Sequence, residues 1–172
     1  APFKEANVFE FLVKTTPNIP WLPTVKSGTN VQLTDIMGNG FALEQFTESN
    51  TCNVIMCVAG SGIAPIKACI ESGKVKSDIR LYYGEWTAND LCFTAAYTEW
   101  SENVNVIPCL SRESNGGYRH GHVQDVLERE DDTVLSLSCT AILCGMPEME
   151  ESVRTVLLRK GIPEKRILTN LS

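Results

Sequence analysis

A short apolar run that leads directly into two closely spaced glycines restricts the fold of this chain more than any other feature. Residues 54–59 (Val-Ile-Met-Cys-Val-Ala) are continuously apolar, which is typical of a strand covered on both faces. Gly60-Ser61-Gly62 follows at once, and Ile63-Ala64-Pro65 leads into a short helical pattern. Proline suits the first turn of a helix, where its missing N–H costs nothing. The pattern predicts a strand–turn–helix unit of an α/β sheet.

The segments that follow alternate between the two kinds of secondary structure. Besides 54–59, we predict strands over residues 78–83, 104–110, 140–144 and 167–171. We predict helices over residues 65–72, 90–102, 123–128 and 147–160. Gly73 and Gly161 stand where the first and the last helix should end. Alternation of this kind requires right-handed crossovers. It therefore predicts a parallel five-stranded sheet with helices on both faces, over residues 49–172.

Residues 1–48 show a different pattern. Residues 8–14 are rich in β-branched and aromatic side chains, and residues 30–36 alternate between apolar and polar, so both predict strands of an antiparallel sheet. Residues 15–23 contain three prolines and predict an irregular loop. The prediction is part of an antiparallel β-barrel, with a turn at 37–41 and a domain boundary near residues 48–53.

The charge balance argues against a nucleic acid partner. The chain has 15 basic and 21 acidic residues and a net charge of −6, so it offers no basic surplus to neutralise a phosphate backbone. The basic residues are scattered, which still allows a compact pocket for one small anion. No stretch approaches the ~20 apolar residues of a membrane span, and we expect no transmembrane segment.

The cysteines predict buried, reduced thiols rather than disulfides or a metal site. Seven are present, at positions 52, 57, 69, 92, 109, 139 and 144. Their number is odd, and no pair has the two-residue gap of a zinc knuckle. Several lie in apolar runs, where cysteine behaves as a small hydrophobe. His120 and His122 have no further ligand nearby in the sequence, so we expect no metal site.

Three segments whose residues could bind a ligand or take part in a reaction follow strands of the predicted sheet. In α/β sheets, ligands bind outside the carboxyl ends of the strands. The glycines at 60 and 62 would let a pyrophosphate approach backbone amides at a helix start, although such a turn is also a common tight connection. Ser111-Arg112 offers a hydroxyl and a guanidinium to a phosphate monoester, or forms a solvated loop. Cys144-Gly145 would bring a thiol and open backbone to a planar ring, or bury a strand-end cysteine.

Taken in order, these motifs resemble those of the ferredoxin–NADP reductase superfamily, and are closest to its plant branch of fruit-protein-like FAD/NAD(P)-binding oxidoreductases. The motifs are Gly-Ser-Gly-Ile-Ala-Pro (60–65), Leu-Tyr-Tyr-Gly (81–84), Leu-Ser-Arg-Glu (110–113) with His-Val-Gln (122–124), and Cys-Gly-Met-Pro-Glu-Met (144–149). Residues 9–14 and 35–41 extend the resemblance into the flavin-binding barrel, so that it covers essentially the whole chain.

The resemblance implies a nucleotide site. The turn would hold the pyrophosphate of NADP or NAD, through Gly60, Ser61, Gly62, Ile63 and Pro65. Ser111 and Arg112 would flank the adenosine ribose, where related enzymes bind the 2′-phosphate of NADP. Cys144 and Gly145 would lie beside the nicotinamide at the hydride-transfer point. Gly84 and Met146 would complete the wall of the cleft. A plastid location is a further implication of the resemblance.

Two departures from the family pattern bear on the cofactors. The flavin pyrophosphate loop should lie between Lys14 and Val25, but the segment 15–23 has no glycine, and its prolines lack amide donors. FAD binding by this segment is therefore doubtful, and we expect Trp21 to pack against the barrel rather than on a cofactor. His122 stands where the family has a tyrosine, which weakens the argument for NADP over NAD.

Three functions are compatible with these observations. The first is an oxidoreductase that transfers a hydride between NAD(P)H and FAD, with an electron-transfer protein as a further partner. The second is a catalytically inactive accessory subunit of a larger assembly, in which the reductase fold persists without its flavin. The third is a redox-sensing module that binds the nucleotide alone. Flavin absorbance separates the first from the others, and nucleotide titration separates the third from the second.

Overall fold

A computed structural model describes residues 8–35, 40–43, 53–75, 77–114, 116–131, 135 and 139–170. The strands are β1 (Val54–Ala59), β2 (Ile79–Glu85), β3 (Val104–Leu110), β4 (Arg119–His120), β5 (Thr140–Cys144) and β6 (Ile167–Thr169). The helices are α1 (Ile63–Glu71), α2 (Ala96–Trp100), α3 (Val123–Glu128) and α4 (Pro147–Arg159). Short 3-10 turns span Leu22–Thr24, Gly60–Gly62, Ala88–Asp90 and Glu164–Arg166.

All six strands belong to one parallel sheet with the order β4-β3-β2-β1-β5-β6. The predicted α/β architecture is confirmed, but the sheet has six strands instead of the predicted five. The strand that sequence reasoning missed is β4, which has only two residues and pairs with the end of β3. In the register of the sheet, Val58 pairs with Cys144 and Ala59 with Gly84. The carboxyl ends of β1, β2 and β5 therefore meet at one edge.

Helices cover both faces of the sheet, as predicted. Buried side chains of α3 and α4 pack on one face, and those of α1 and α2 pack on the other. The alternation of a strand assigns its side chains to the two layers. In β5, Leu143 faces α3 and α4, whereas Ile142 and Cys144 face α1. The thiol of Cys144 thus lies in the same core layer as α1.

The sequence pattern located most helix boundaries but misjudged one helix. Gly73 and Gly161 take positive φ angles of 65° and 92° just after α1 and α4, as expected for glycines that end helices. The helix predicted over 90–102 is wrong in its first half. Asp90 accepts hydrogen bonds from Thr87 and closes a 3-10 turn, and Phe93 has a φ of 59°, which interrupts any helix. Only α2 remains.

In the part of the N-terminal segment that the structure describes, the strands that its pattern predicted do not form. The described residues of 8–14 and 30–36 form no strand ladder beyond an isolated bridge at Phe9, so both strand predictions are wrong there. A strand needs a neighbour to accept and donate its hydrogen bonds, and the described residues supply none. Trp21 is 55% exposed, so the expectation that it packs against a barrel is also wrong. The turn at 37–41 and the boundary near 48–53 fall largely outside the described residues.

The segment nevertheless contacts the α/β domain. Leu12, Phe41 and Leu43 pack against the core layer of α1 and α2. Glu10 forms a salt bridge of 3.1 Å with Lys67 of α1. The irregular loop predicted over 15–23 is confirmed, with a 3-10 turn at its end. Among the described residues, apolar side-chain contacts and one salt bridge, rather than strand pairing, connect this segment to the domain.

Six cysteines are described, and none of them forms a disulfide. Five are buried, as predicted, while Cys92 is half-buried; Cys52 lies outside the described residues. In the part of the chain that the structure covers, no helix has the length and apolarity needed to cross a bilayer. The same residues contain no cluster of three or more potential metal ligands.

Candidate functional site

The carboxyl edge of the sheet, which we call the rim, consists of the residues at and just after the ends of four strands. These are residues 59–63 at the end of β1, 84–86 at the end of β2, 110–112 at the end of β3 and 144–146 at the end of β5. The predicted site residues, apart from Pro65 in the first turn of α1, all lie on this rim. Parallel pairing brings them together because the four strands are neighbours in the sheet.

Gly60 is the open position of the rim. Its φ is 55°, and a Cβ atom added there would have no neighbour within 4 Å. Ser61 beside it is exposed, while Ile63 is fully buried beneath the turn and Pro65 is partly buried. The nine-residue helix α1 begins at Ile63. Space above Gly60, next to a helix start, gives an anion access to backbone dipoles.

Gly62 has a different role from the one that its spacing suggested. Its φ of −58° is helical and suits any residue. A Cβ atom at this position would overlap the carbonyl oxygen of Cys144 and lie 2.8 Å from the carbonyl carbon. The missing side chain therefore makes room for the end of β5 rather than for a ligand. Glycine at 62 allows the turn after β1 and the end of β5 to meet.

Cys144 and Gly145 form the rim next to that turn. Cys144 is only 5% exposed, and burial first of all raises the pKa of its thiol to about 11, with smaller contributions from Glu150 and Cys69. Gly145 donates its N–H to Glu150 Oε1 at 3.0 Å. Met146, which begins the cap of α4, is 63% exposed. The rim thus presents the backbone of Gly145 and the exposed thioether of Met146, while the thiol of Cys144 is covered and neutral.

Glu150 is the functional candidate at this place that sequence reasoning missed. It is 8% exposed although it is a carboxylate. It lies in the first turn of α4, where negative charge is favourable, and it accepts the N–H of Gly145. An acidic residue in the first turn of a helix that follows a site motif was the available signal.

Ser111 and Arg112 lie opposite the residues that follow β2. The Ser111 amide donates to Glu85 O at 3.0 Å and the Arg112 amide donates to Trp86 O at 2.9 Å, which extends the β2–β3 ladder past both strands. The guanidinium of Arg112 lies 4.0 Å from the centre of the Trp86 ring. Sequence reasoning did not single out Trp86, because nothing in its local sequence marks it.

The remaining predicted residues lie nearby. A Cβ atom on Gly84 would lie 2.9 Å from Val123 Cγ2, so its missing side chain gives α3 close access to the sheet. The His122 amide donates to Asp125 Oδ2 at 3.0 Å at the start of α3. His120 Nδ1 lies 3.1 Å from Glu113 O. The two histidines make separate local contacts.

The buried thiols predict a loss of stability in alkali. The raised pKa values of Cys144 and Cys69, both about 11, mean that the native state holds these protons more tightly than the unfolded state. The two protonated thiols contribute fully to stability below the ordinary thiol pKa of about 8.5. This contribution is lost as the pH rises from there through about 11. The free energy of unfolding, measured by urea denaturation, should fall as the pH rises from 7.5 to 10.5.

A Cys144→Ala variant supplies the control for this pH series. It should reduce the pH slope without abolishing it, because Cys69 and Cys109 also have raised pKa values and remain in the variant. Iodoacetamide should label Cys144 slowly at pH 7.5, since the thiolate is the nucleophile. Rapid labelling of the native protein at that pH would contradict the assignment of a covered, neutral thiol.

The sequence is similar to those of known proteins. Residues 56–155 match the family model for the oxidoreductase NAD-binding domain. Fruit protein pKIWI502 from Actinidia deliciosa is 33% identical over 93% of this chain and 53% of its own length. The xylene/toluene monooxygenase electron transfer component XylA from Pseudomonas putida is 30% identical over 72% of this chain and 37% of its own length.

A solved structure carries the same fold. A ferredoxin NADP+ reductase from Neisseria gonorrhoeae, determined with bound FAD and NADP, superimposes with a TM-score of 0.63. It is 20% identical, and the match covers 76% of this chain and 60% of that one. The chain spans about half or less of the two curated relatives. The family match covers more than half of the chain, and the fold and the order of motifs agree with it: the chain belongs to the oxidoreductase NAD-binding domain family of ferredoxin–NADP reductase-type proteins.

Proposed function

We propose that this chain binds NAD(P)H on its rim and presents the nicotinamide for hydride transfer to or from FAD, as part of a ferredoxin reductase-type oxidoreductase. One observation carries the proposal: an open glycine turn after β1 lies directly beside the Cys144–Gly145 end of β5. A dinucleotide needs a place for its pyrophosphate and, a short distance away, a place for its reactive ring. These two neighbouring strand ends supply both.

Different residues of the rim would bind different parts of the coenzyme. The backbone around Gly60 and Ser61, at the start of α1, would receive the pyrophosphate, where amides and the helix dipole favour negative charge. The nicotinamide ring would lie beside the backbone of Gly145, on the side away from Met149 and Ala59, which fill the place of the missing side chain. Because burial keeps the Cys144 thiol protonated at neutral pH, that residue would contact the ring without adding a charge. Its proposed role is to pack beside the reacting carbon.

The described residues do not fit a flavin pyrophosphate at the expected loop. In residues 15–23 the amides of Ile19 and Leu22 already donate within the turn, and the three prolines have no N–H. The flavin in this proposal is therefore held by residues other than those of this loop. The hydride chemistry itself belongs to the cofactors, and this chain positions the nucleotide.

Adding a negative charge beside the open glycine should weaken nucleotide binding. Ser61→Glu places a carboxylate on an exposed residue next to the proposed pyrophosphate position. Repulsion of about 1 kcal/mol or more in a wet site predicts an increase in Kd of about fivefold or more. Isothermal titration of NADPH and NADH into the full chain measures it, with wild-type Kd expected on the order of 1 µM to 1 mM.

Ser101→Glu is the matched control, because Ser101 is exposed and precedes β3 at the opposite edge of the sheet. Its Kd should equal that of the wild type. Equal weakening by both variants would show a general charge effect and count against the rim. Absence of any heat with either coenzyme in the wild-type protein would refute the proposed function.

The proline-containing loop also favours a second candidate, an accessory subunit of a larger, plastid assembly in which the fold persists without flavin. The absorbance of the purified intact protein near ~450 nm discriminates the two. A flavin band that is bleached by NAD(P)H supports the reductase. A colourless protein that binds neither nucleotide supports the accessory subunit, and one that binds nucleotide without flavin supports a redox-sensing module.

A further inference from the structure

We propose that Lys67 of α1 is a positioning residue for hydride transfer. By binding Glu10, it fixes the N-terminal segment (the described residues of 8–43) relative to the glycine turn that receives the nucleotide. The inference rests on the proposed function, because it concerns how the two cofactors are brought together. It goes beyond that function because Lys67 lies outside the rim and has no part in binding the coenzyme.

Lys67 is a largely covered cation that binds carboxylates from two different parts of the chain. Its ammonium lies 3.1 Å from Glu10 Oε2 and 2.8 Å from Glu71 Oε2, and its side chain is 14% exposed. Glu71 belongs to α1 itself, whereas Glu10 belongs to the N-terminal segment. Burial alone would lower the pKa of Lys67, but the hydrogen bonds and charges of Glu71 and Glu10 raise it above its ordinary value. The ammonium therefore stays charged at neutral pH.

Alternation along the N-terminal segment directs Glu10 toward the domain. Phe9 and Phe11 are each 62% exposed, whereas Glu10 and Leu12 are half-buried, and Leu12 packs against the core layer of α1 and α2. Apolar contacts have no directional preference and allow two surfaces to slide. A charged hydrogen bond has a narrow range of favourable geometry. The ion pair therefore sets the position of the segment, while the apolar contacts hold it on the surface.

The same ammonium contacts the loop that follows β2. Lys67 Nζ lies 5.4 Å from the centre of the Phe93 ring, within the range in which an aromatic face attracts a cation. Phe93 has a φ of 59°, which residues with side chains rarely adopt. Two hydroxyls hold the residue before it: Tyr83 accepts the N–H of Cys92, and Tyr97 donates to its carbonyl, both at 3.3 Å. Lys67 thus joins the N-terminal segment, α1 and a fixed turn after β2.

The place of Lys67 on α1 connects this junction to the nucleotide turn. Lys67 follows Ile63, the first residue of α1, by about one helical turn, and the turn Gly60–Gly62 directly precedes the helix. The N-terminal segment is the part of the chain that resembles the flavin-binding barrel. The ion pair therefore lies between the flavin side and the pyrophosphate turn. Hydride transfer needs a closely defined approach, and a misplacement of about 1 Å can cost about a hundredfold in rate.

The test compares Glu10→Gln with Glu71→Gln in the full-length protein with its flavin. Each variant removes one carboxylate from the same ammonium, but only Glu10→Gln breaks the link to the N-terminal segment. Stopped-flow absorbance at saturating NAD(P)H measures the rate of flavin reduction. Glu10→Gln should lower this rate by about tenfold, with the Kd for the coenzyme changed by less than about twofold, because Glu10 is not a rim residue. Glu71→Gln should change both quantities by less than about twofold.

Trypsin cleavage after Lys14 in the native protein supplies a readout that does not depend on flavin. Loss of the ion pair favours the detached state of the segment, so Glu10→Gln should speed this cleavage by about fivefold. Lys67→Met leaves two carboxylates facing each other and should speed it at least as much. Lys67→Arg keeps the cation and should restore both the cleavage rate and the rate of flavin reduction.

Three results would overturn the role of Lys67. One is an equal rate of flavin reduction in Glu10→Gln and Glu71→Gln, and another is a Lys67→Met variant that reduces flavin as fast as the wild type. The third is a Glu10→Gln defect that saturating coenzyme abolishes, which would place the effect in binding. A wild-type protein that binds no coenzyme, or does not reduce flavin, would instead refute the proposed function, and this role with it.

Discussion

Replacing Gly62 with alanine should destabilise the domain by about 3 kcal/mol, near the upper end of the range for overpacked sites. The φ at this position is helical, so the backbone conformation itself accepts alanine. The added methyl group would overlap the carbonyl of Cys144, which belongs to the backbone of β5. The carbonyl belongs to the backbone at the end of a paired strand and cannot change rotamer as a side chain can, so the turn after β1 must move away from β5. Urea unfolding measures the change.

Alanine variants of two other glycines distinguish overlap with the β5 backbone from the cost of a positive φ and from overlap with a flexible side chain. Gly73→Ala tests the cost of a positive φ alone, because a Cβ at Gly73 meets nothing within 4 Å, and about 1 kcal/mol is expected. Gly145→Ala meets the flexible end of the Met149 side chain first, which can move, so its effect should also be smaller. If Gly62→Ala is no more harmful than Gly73→Ala, the close approach of turn and strand is not a constraint on the fold.

Replacing Glu150 with alanine should cost about 2 kcal/mol of stability, because the change leaves the amide of Gly145 without its acceptor. Unsatisfied buried donors typically cost about 1–3 kcal/mol, and the loss of an acidic group from the first turn of α4 adds to this. The same change should release the Cys144–Gly145 peptide from its position. We therefore expect weaker NAD(P)H binding together with the lower free energy of unfolding.

Glu150→Gln separates the hydrogen bond from the charge. Glutamine keeps an acceptor for Gly145, so stability should change by less than about 1 kcal/mol. Because Glu150 contributes to the raised pKa of Cys144, removing its charge should lower that pKa and speed alkylation of the thiol. An alanine variant as stable as the wild type, or a glutamine variant with unaltered alkylation, would show that Glu150 does not act on this peptide.

The α/β domain could be predicted from sequence because its signals are local. The pattern of apolar residues located β3 and β5 with the boundaries that the structure has. Burial on both faces makes such strands continuously apolar, and glycines with positive φ mark where α1 and α4 end. These features depend on residues within a few positions of each other, so a single sequence contains them.

Secondary-structure predictions failed where the pairing of strands, or a turn that competes with a helix, decided which element forms. The two residues of β4 become a strand only because β3 lies alongside. The pattern over 8–14 suits a strand, but no neighbouring strand pairs with it in the described residues. Near residue 90, the Thr87–Asp90 hydrogen bonds prevailed over a helical pattern. Side-chain chemistry at a short range overrode periodicity there.

The sequence alone determined the order of strands and helices, and hence that the rim would collect residues from the ends of β1, β2, β3 and β5. The tertiary structure decided what each of those residues does. Gly60 and Gly62 are equivalent in the motif, yet one faces open space and the other faces a carbonyl. Trp86 and Glu150 became candidates only through their contacts with Arg112 and Gly145. The physical reason is that such contacts join residues distant in sequence or on different elements, and only the folded chain fixes their distances.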